Sequence, residues 1–194
     1  MTYLNHCAST QNCQGFSQEE AYSYDLEVNL QLAREVRDFV QVAKAWAKEN
    51  GRETLPVEAQ TIARYFMVEG NDDVKEEALK LMALAETSEE NFRAIIKGLD
   101  QSASGPLMKI GMQQLKRYIG TPQEKQADDF VIAQITRGGH ANRRVVARMS
   151  SAFMTRPHMA ARLYAVERKS PRYTEVNKYL RLNREEQMRN ERGG

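Results

Sequence analysis

Apolar residues along this chain recur at intervals of three and four, and no stretch of four or more residues alternates convincingly between apolar and polar. A repeat near 3.6 lays one side of a helix against a core, whereas a half-buried strand needs a repeat of two. The expected fold is therefore all-α, a compact array of about nine short helices. Leu32, Val36, Phe39, Ala43 and Trp46 mark the first clear stripe, ended by Asn50-Gly51. Val57, Ile62 and Phe66 follow, then Val74, Ala78, Leu81, Met82 and Ala85, then Phe92, Ile95, Ile96 and Leu99. In the second half the stripes are Met108, Met112, Leu115 and Ile119; Ala127, Phe130, Val131 and Ile135; Val145, Met149, Ala152 and Phe153; Met159, Leu163 and Val166; and Val176 with Leu180.

Start signals agree with these stripes. Ser17 with Glu20, Thr87 with Glu90, and Thr121-Pro122 with Glu124 have the spacing of capping boxes, in which a hydroxyl and a carboxylate satisfy the first unpaired amides of a helix. Asn71 or Asp72 suits the N-cap of the third helix. All five prolines fall at proposed starts, where a missing N–H costs nothing.

The 194 residues are 41% hydrophobic, enough for one or two folded domains. Leu, Ile, Val and Phe together number only 39, so the 21 Ala and 9 Met must supply part of the core. Residues 1–16 show no apolar periodicity and read as a poorly ordered arm. Residues 17–100 form one helical half and residues 106–194 another, with Gln101 to Gly105 as the linker; whether these are two domains or one stays open. The chain lacks a run of about 18 apolar residues, and Met1 to Cys7 has neither a basic nor an apolar leader segment. The expectation is a soluble, cytoplasmic protein with no membrane partner, which two cysteines also suit.

The charge is strongly divided. The net of +2 combines about −8 over residues 1–100 with about +10 over residues 101–194. Between Arg137 and Arg184 there are 12 basic residues, ten of them Arg, and only Glu167 and Glu175 as acids. Guanidinium forks suit phosphate and carboxylate, and Phe153, Tyr164, Tyr173 and Tyr179 lie among them as possible stacking faces. The function expected is non-enzymatic nucleic-acid binding, with DNA ranked ahead of RNA. Its candidate contacts are Arg143, Arg144, Arg148, Arg156, His158, Arg162, Arg168, Lys169 and Arg172. Arg143 to Met154, a break at Thr155 to Pro157, and His158 to Arg168 can be drawn as a helix-turn-helix, with Arg156, His158 and Arg162 aimed at base edges. A plain helical hairpin fits the glycine-free turn better.

The alternative function is a helical adaptor or assembly protein. Its basic half would pair with an acidic protein partner, or with the acidic helices of this chain or of a second copy, giving a homo-oligomer. Gly138-Gly139 before His140, Ala141, Asn142, Arg143 and Arg144 could cradle a phosphate at a helix start. The plainer reading makes a glycine the C-cap of one helix and His140 or Asn142 the N-cap of the next. His6, Cys7 and Cys13 offer three metal ligands where a structural site wants four. Neither a metal nor any other cofactor is therefore expected. No nucleophile-and-base arrangement, Walker loop or pair of Glu-x-x-His helices occurs, and adjacent acids such as Asp128-Asp129 diverge around a helix.

Overall fold

A computed structural model describes residues 26–51, 55–169 and 174–193, with only the backbone described at 26–30, 168, 169, 174, 191 and 193. The arm, the Ser17 cap, the His6, Cys7 and Cys13 group, Arg172, Tyr173 and the Ser170-Pro171 start lie outside the described residues. The fold is all-α: among the described residues there are ten α-helices and no strand. No helix among them is long and apolar enough to cross a membrane. The chain divides into two compact units, Met1–Ser102 and Ala103–Gly194.

The first unit contains α1 (Leu26–Glu49), α2 (Val57–Glu69), α3 (Asp72–Met82) and α4 (Glu89–Asp100). Helix α3 packs against α1 and α2, and α2 packs against α4. Their stripes meet in a core of Val36, Phe39, Ile62, Phe66, Leu79, Leu81, Phe92, Ile95 and Leu99. Val57 is the exception to its stripe, 68% exposed at the first position of α2. At the α2–α4 crossing, a methyl group added to Gly98 would sit 2.1 Å from the Met67 carbonyl oxygen. Lys75 is buried beside this crossing, where its Nζ donates to the Gly98 carbonyl at 3.4 Å, and burial pushes its pKa down.

One of the expected caps holds and another shifts. The Asn71 side chain accepts from the Val74 amide at 2.9 Å. The cap of α4 is Ser88, whose Oγ accepts from the Asn91 amide at 3.2 Å, one residue later than Thr87. Asn91 settles the choice: its buried amide donates to the Glu86 carbonyl and to Gln60, fixing the first turn around Ser88. We expect Ser88→Ala to lower the stability of the first unit by about 1 kcal/mol and Thr87→Ala by a few tenths, read by urea unfolding. Equal losses would contradict this capping assignment.

The second unit contains α5 (Gly105–Leu115), a 3-10 turn over Lys116–Tyr118, α6 (Glu124–Arg137), α7 (His140–Met149), α8 (Ser151–Met154), α9 (Pro157–Lys169) and α10 (Thr174–Gly193). Helix α7 is central and packs against α5, α6 and α10. Ala and Met fill much of this core, as at Met108, Met112, Ala127, Ala147, Met154 and Met159. Tyr118 is also buried there, which raises its pKa to about 12.

Three local expectations need correction. The Thr121-Pro122 segment is a turn before α6, not its first residues. Glu124 reaches past Thr121 to accept from the Gly120 amide at 2.6 Å, with Gly120 at φ +82°, so the helix opens at Glu124 itself. The helix from Ala141 does not run on to Met154 but breaks at Ser150. There the Ala147 carbonyl accepts from the Ser150 hydroxyl and from Asn183 Nδ2, each at 2.9 Å, which diverts it from the helical ladder. The polar, charged stretch after Leu180, whose sequence predicts fraying before Gly194, is helical instead: α10 continues to Gly193.

Candidate nucleic-acid interface

The candidate arginines separate into an inward and an outward group. The inward group is organised by α6, where Glu124 and Asp128, four residues apart, share a face. Arg156, in the turn between α8 and α9, places Nη1 2.8 Å from Asp128 Oδ2 and 2.9 Å from Glu124 Oε1. Its Nη2 lies 2.5 Å from Asp128 Oδ1, completing a bidentate pair. The side chain of Asp128 is 2% exposed and that of Arg156 14%. Burial alone would lower the Arg156 pKa, but bonds to Asp128 and Glu124 outweigh it and hold the guanidinium above its ordinary value. Glu124 is held below the usual carboxylate range, first by the Gly120 amide and then by Arg156. Its charge is therefore kept under mildly acid conditions and lost as pH falls through that depressed value.

His158 Nε2 lies 3.1 Å from Asp128 Oδ2, and Arg162 Nη2 lies 2.7 Å from Asp129 Oδ1. Asp128 and Asp129 do diverge around α6, but each meets a basic side chain from the start of α9. Arg156 also lies over the Phe153 ring, 5.7 Å from its centroid. Thus the three side chains drawn as base readers all rest on carboxylates of the same unit.

The outward group lies on α7. His140, Arg144 and Arg148 follow one another at intervals of four, a row about 12 Å long at the helical rise, and all three are exposed. Exposed Arg137 ends the preceding helix. Arg137 and Arg148 have no partner among the described residues. Arg144 bonds Tyr179, which raises its pKa with help from Glu175, 3.7 Å away; both ends of that ion pair are about half exposed. An ion pair this exposed is weak and yields readily to a competing anion. Arg143 is half-buried on another side of α7. Arg168 and Lys169 belong to the last turn of α9, where only the backbone is described.

Gly139, rather than His140 or Asn142, holds the N-cap position of α7, and no side chain caps that end. Gly138 closes α6, returning its amide to the Gln134 carbonyl. Among the interleaved aromatics, Phe153 is buried, Tyr164 underlies Arg184 with 5.4 Å from ring centroid to guanidinium, and Tyr179 is half-buried beside Arg144. Phe153 therefore offers no open ring, whereas Tyr179 stands beside the α7 row, bonded to Arg144.

Glu124, Asp128 and His158 bring three ligand atoms within 4.8 Å of one another, a spacing a metal ion could use. The Arg156 guanidinium already occupies the two carboxylates, so the donor set is committed to an internal cation. Sequence reasoning missed these acids as partners, although the interval of four between Glu124 and Asp128 does place them on one face. No known protein family matches the chain, and neither a curated protein nor a solved structure does.

Proposed function

We propose that the second unit binds nucleic acid through the phosphate backbone, with α7 as the contacting element. The observation that carries this reading is the exposed row of His140, Arg144 and Arg148 beside Arg137, on a unit whose net charge remains about +10. The start of α7, which no side chain caps, adds backbone amides of the kind phosphate accepts. The protein is read as non-enzymatic. Base reading by Arg156, His158 and Arg162 is not part of this proposal, because their donors serve Glu124, Asp128 and Asp129. Backbone contact alone discriminates poorly between sequences, and the ranking of DNA ahead of RNA then has only groove shape to rest on.

The test uses the intact chain and a labelled 20-base-pair duplex at several salt concentrations. Arg137→Glu with Arg148→Glu should weaken binding alike for unrelated sequences and lower the salt slope by about 1 for each phosphate that is no longer neutralised. Arg162→Ala should change affinity less than twofold, on the order of a rim effect. Absence of binding by the wild type at about 0.15 M salt, where screening extends over ~8 Å, would overturn the reading.

The opposite charges of the two units, about −8 and about +10, favour a second reading in which copies associate head to tail. Sedimentation of the intact chain would then show assemblies at low salt that dissolve as salt rises.

A further inference from the structure

The first unit carries a basic groove on an otherwise acidic body. Of its ten Lys and Arg against 18 Asp and Glu, three converge on an open cleft of 410 Å³ between α2 and α4: Arg64, Arg93 and Lys97. Val68 and buried Ala94 give the cleft an apolar floor, Tyr65 lines it, and Glu69 is its one acid. Lys97 is exposed and has no partner among the described residues. Arg93 pairs with exposed Glu89, one turn away on its own helix, and Glu90, whose pKa is lowered first by its own backbone amide and Ser88, also feels Arg64 and Arg93.

Arg64 is held differently. Its Nη1 donates to Asn91 Oδ1 at 3.0 Å and its Nη2 to Thr61 Oγ1 at 2.8 Å. Asn91, fully buried, donates in turn to Gln60 Oε1, and Gln60, also buried, donates to the Leu55 carbonyl at 2.8 Å. A chain of buried amides thus fixes the guanidinium before anything binds. Two of its five N–H donors are used by the protein and the rest remain for a ligand. An arginine already ordered loses less rotamer freedom on binding, so more of its interaction appears as affinity.

We propose that this groove binds a short acidic peptide segment of a partner protein, with its carboxylates on Arg64, Arg93 and Lys97 and an apolar side chain against Val68 and Ala94. Charge complementarity sets this occupant. A nucleic acid is disfavoured because its charges recur every ~1.7 Å of duplex axis and would continue beyond the groove onto a surface of net charge about −8. A segment with a few carboxylates confines its charge to the cleft.

The test measures fluorescence anisotropy of the intact protein with a labelled 12-residue peptide of Glu, Asp and Ala around one central Leu. The comparison probes are the same peptide with Gln and Asn for the acids and a 12-nucleotide single strand. The acidic peptide should bind and its amide form should not. Arg93→Gln with Lys97→Glu should weaken binding roughly tenfold or more, with thermal melting preserved because both side chains are exposed. Lys97→Glu alone should weaken it several-fold, on the order of one charge contact. Arg64→Lys keeps the charge without the fork and should weaken it as well. Arg137→Glu with Arg148→Glu, which alters the second unit, should leave peptide affinity unchanged. The proposal fails if the acidic and amide peptides bind alike, if the groove variants bind normally, if the Arg137 and Arg148 variant is the one that loses the peptide, or if the groove variants lose the oligonucleotide instead.

Discussion

Arg156→Leu will lower the melting temperature of the second unit by about 12 °C or more. The substitution leaves the Asp128 carboxylate, 2% exposed, without its guanidinium and facing only the exposed ring of His158. Breaking a buried pair by removing one partner costs about 3–5 kcal/mol, and each kcal/mol shifts the melting point of a unit this size by about 4–8 °C. Replacing both partners behaves differently. Asp128→Leu combined with Arg156→Leu removes the stranded charge and should recover much of the loss, giving a coupling of about 2 kcal/mol or more in a double-mutant cycle. Thermal melts of the two single variants and the double variant decide the matter: a single-variant loss of only 2–3 °C, on the order expected of an exposed ion pair, would show that the cluster is a surface feature. The same measurement bears on the nucleic-acid reading, since a structural Arg156 should change stability far more than salt-dependent affinity.

Gly98→Ala is the second substitution with a large expected effect, this time in the first unit. The new methyl group would meet the Met67 carbonyl oxygen at 2.1 Å and the Met67 methyl carbon at 2.5 Å. The side chain can move aside, but the carbonyl belongs to the backbone of α2. The helices must therefore separate, opening space around Leu99, Ile95 and Phe66, all nearly inaccessible. Overpacking of this kind costs typically 1–3 kcal/mol, and the backbone contact puts this position at about 3 kcal/mol or beyond. Helix propensity alone would favour alanine by up to about 1 kcal/mol, so a destabilised variant identifies the close approach as the cause. Denaturant unfolding followed by Trp46 fluorescence reports on the first unit, which holds the only tryptophan. A variant as stable as the wild type would refute the close crossing of α2 and α4.

The helical class, nearly all the stripes and the Asn71 cap were legible because each rests on neighbours within a turn or two. The break at Ser150 was not, because it depends on Asn183, which lies 33 residues further on. Ser88 displaced Thr87 for a similar reason: both residues can cap, and the choice was made by Asn91 bonding to Gln60, 31 residues away. At the candidate interface, the sequence displayed the arginines but not their distribution. Arg144 and Arg148 could be placed on one face by spacing alone. Arg156 could not, since its position depends on how the α8–α9 turn meets α6, and a surplus of positive charge hides the few acids that neutralise it. The basic groove of the first unit was masked by the unit's negative total, because a net charge carries no information about where the cations gather.

Asn183 has a further consequence for how α10 is seated. Its amide reaches both the Ala147 carbonyl and the Ser150 hydroxyl from a buried position in the middle of a 20-residue helix that is otherwise mostly charged and polar. The apolar anchors Val176 and Leu180 both lie in the first two turns, so beyond them hydrophobic contact does little to prevent sliding. Moving α10 along its axis by one turn, about 5.4 Å, would leave Asn183 without these acceptors in a place closed to water. The asparagine thus fixes the register of α10 on α7, and with it the place of Glu175 and Tyr179 beside Arg144.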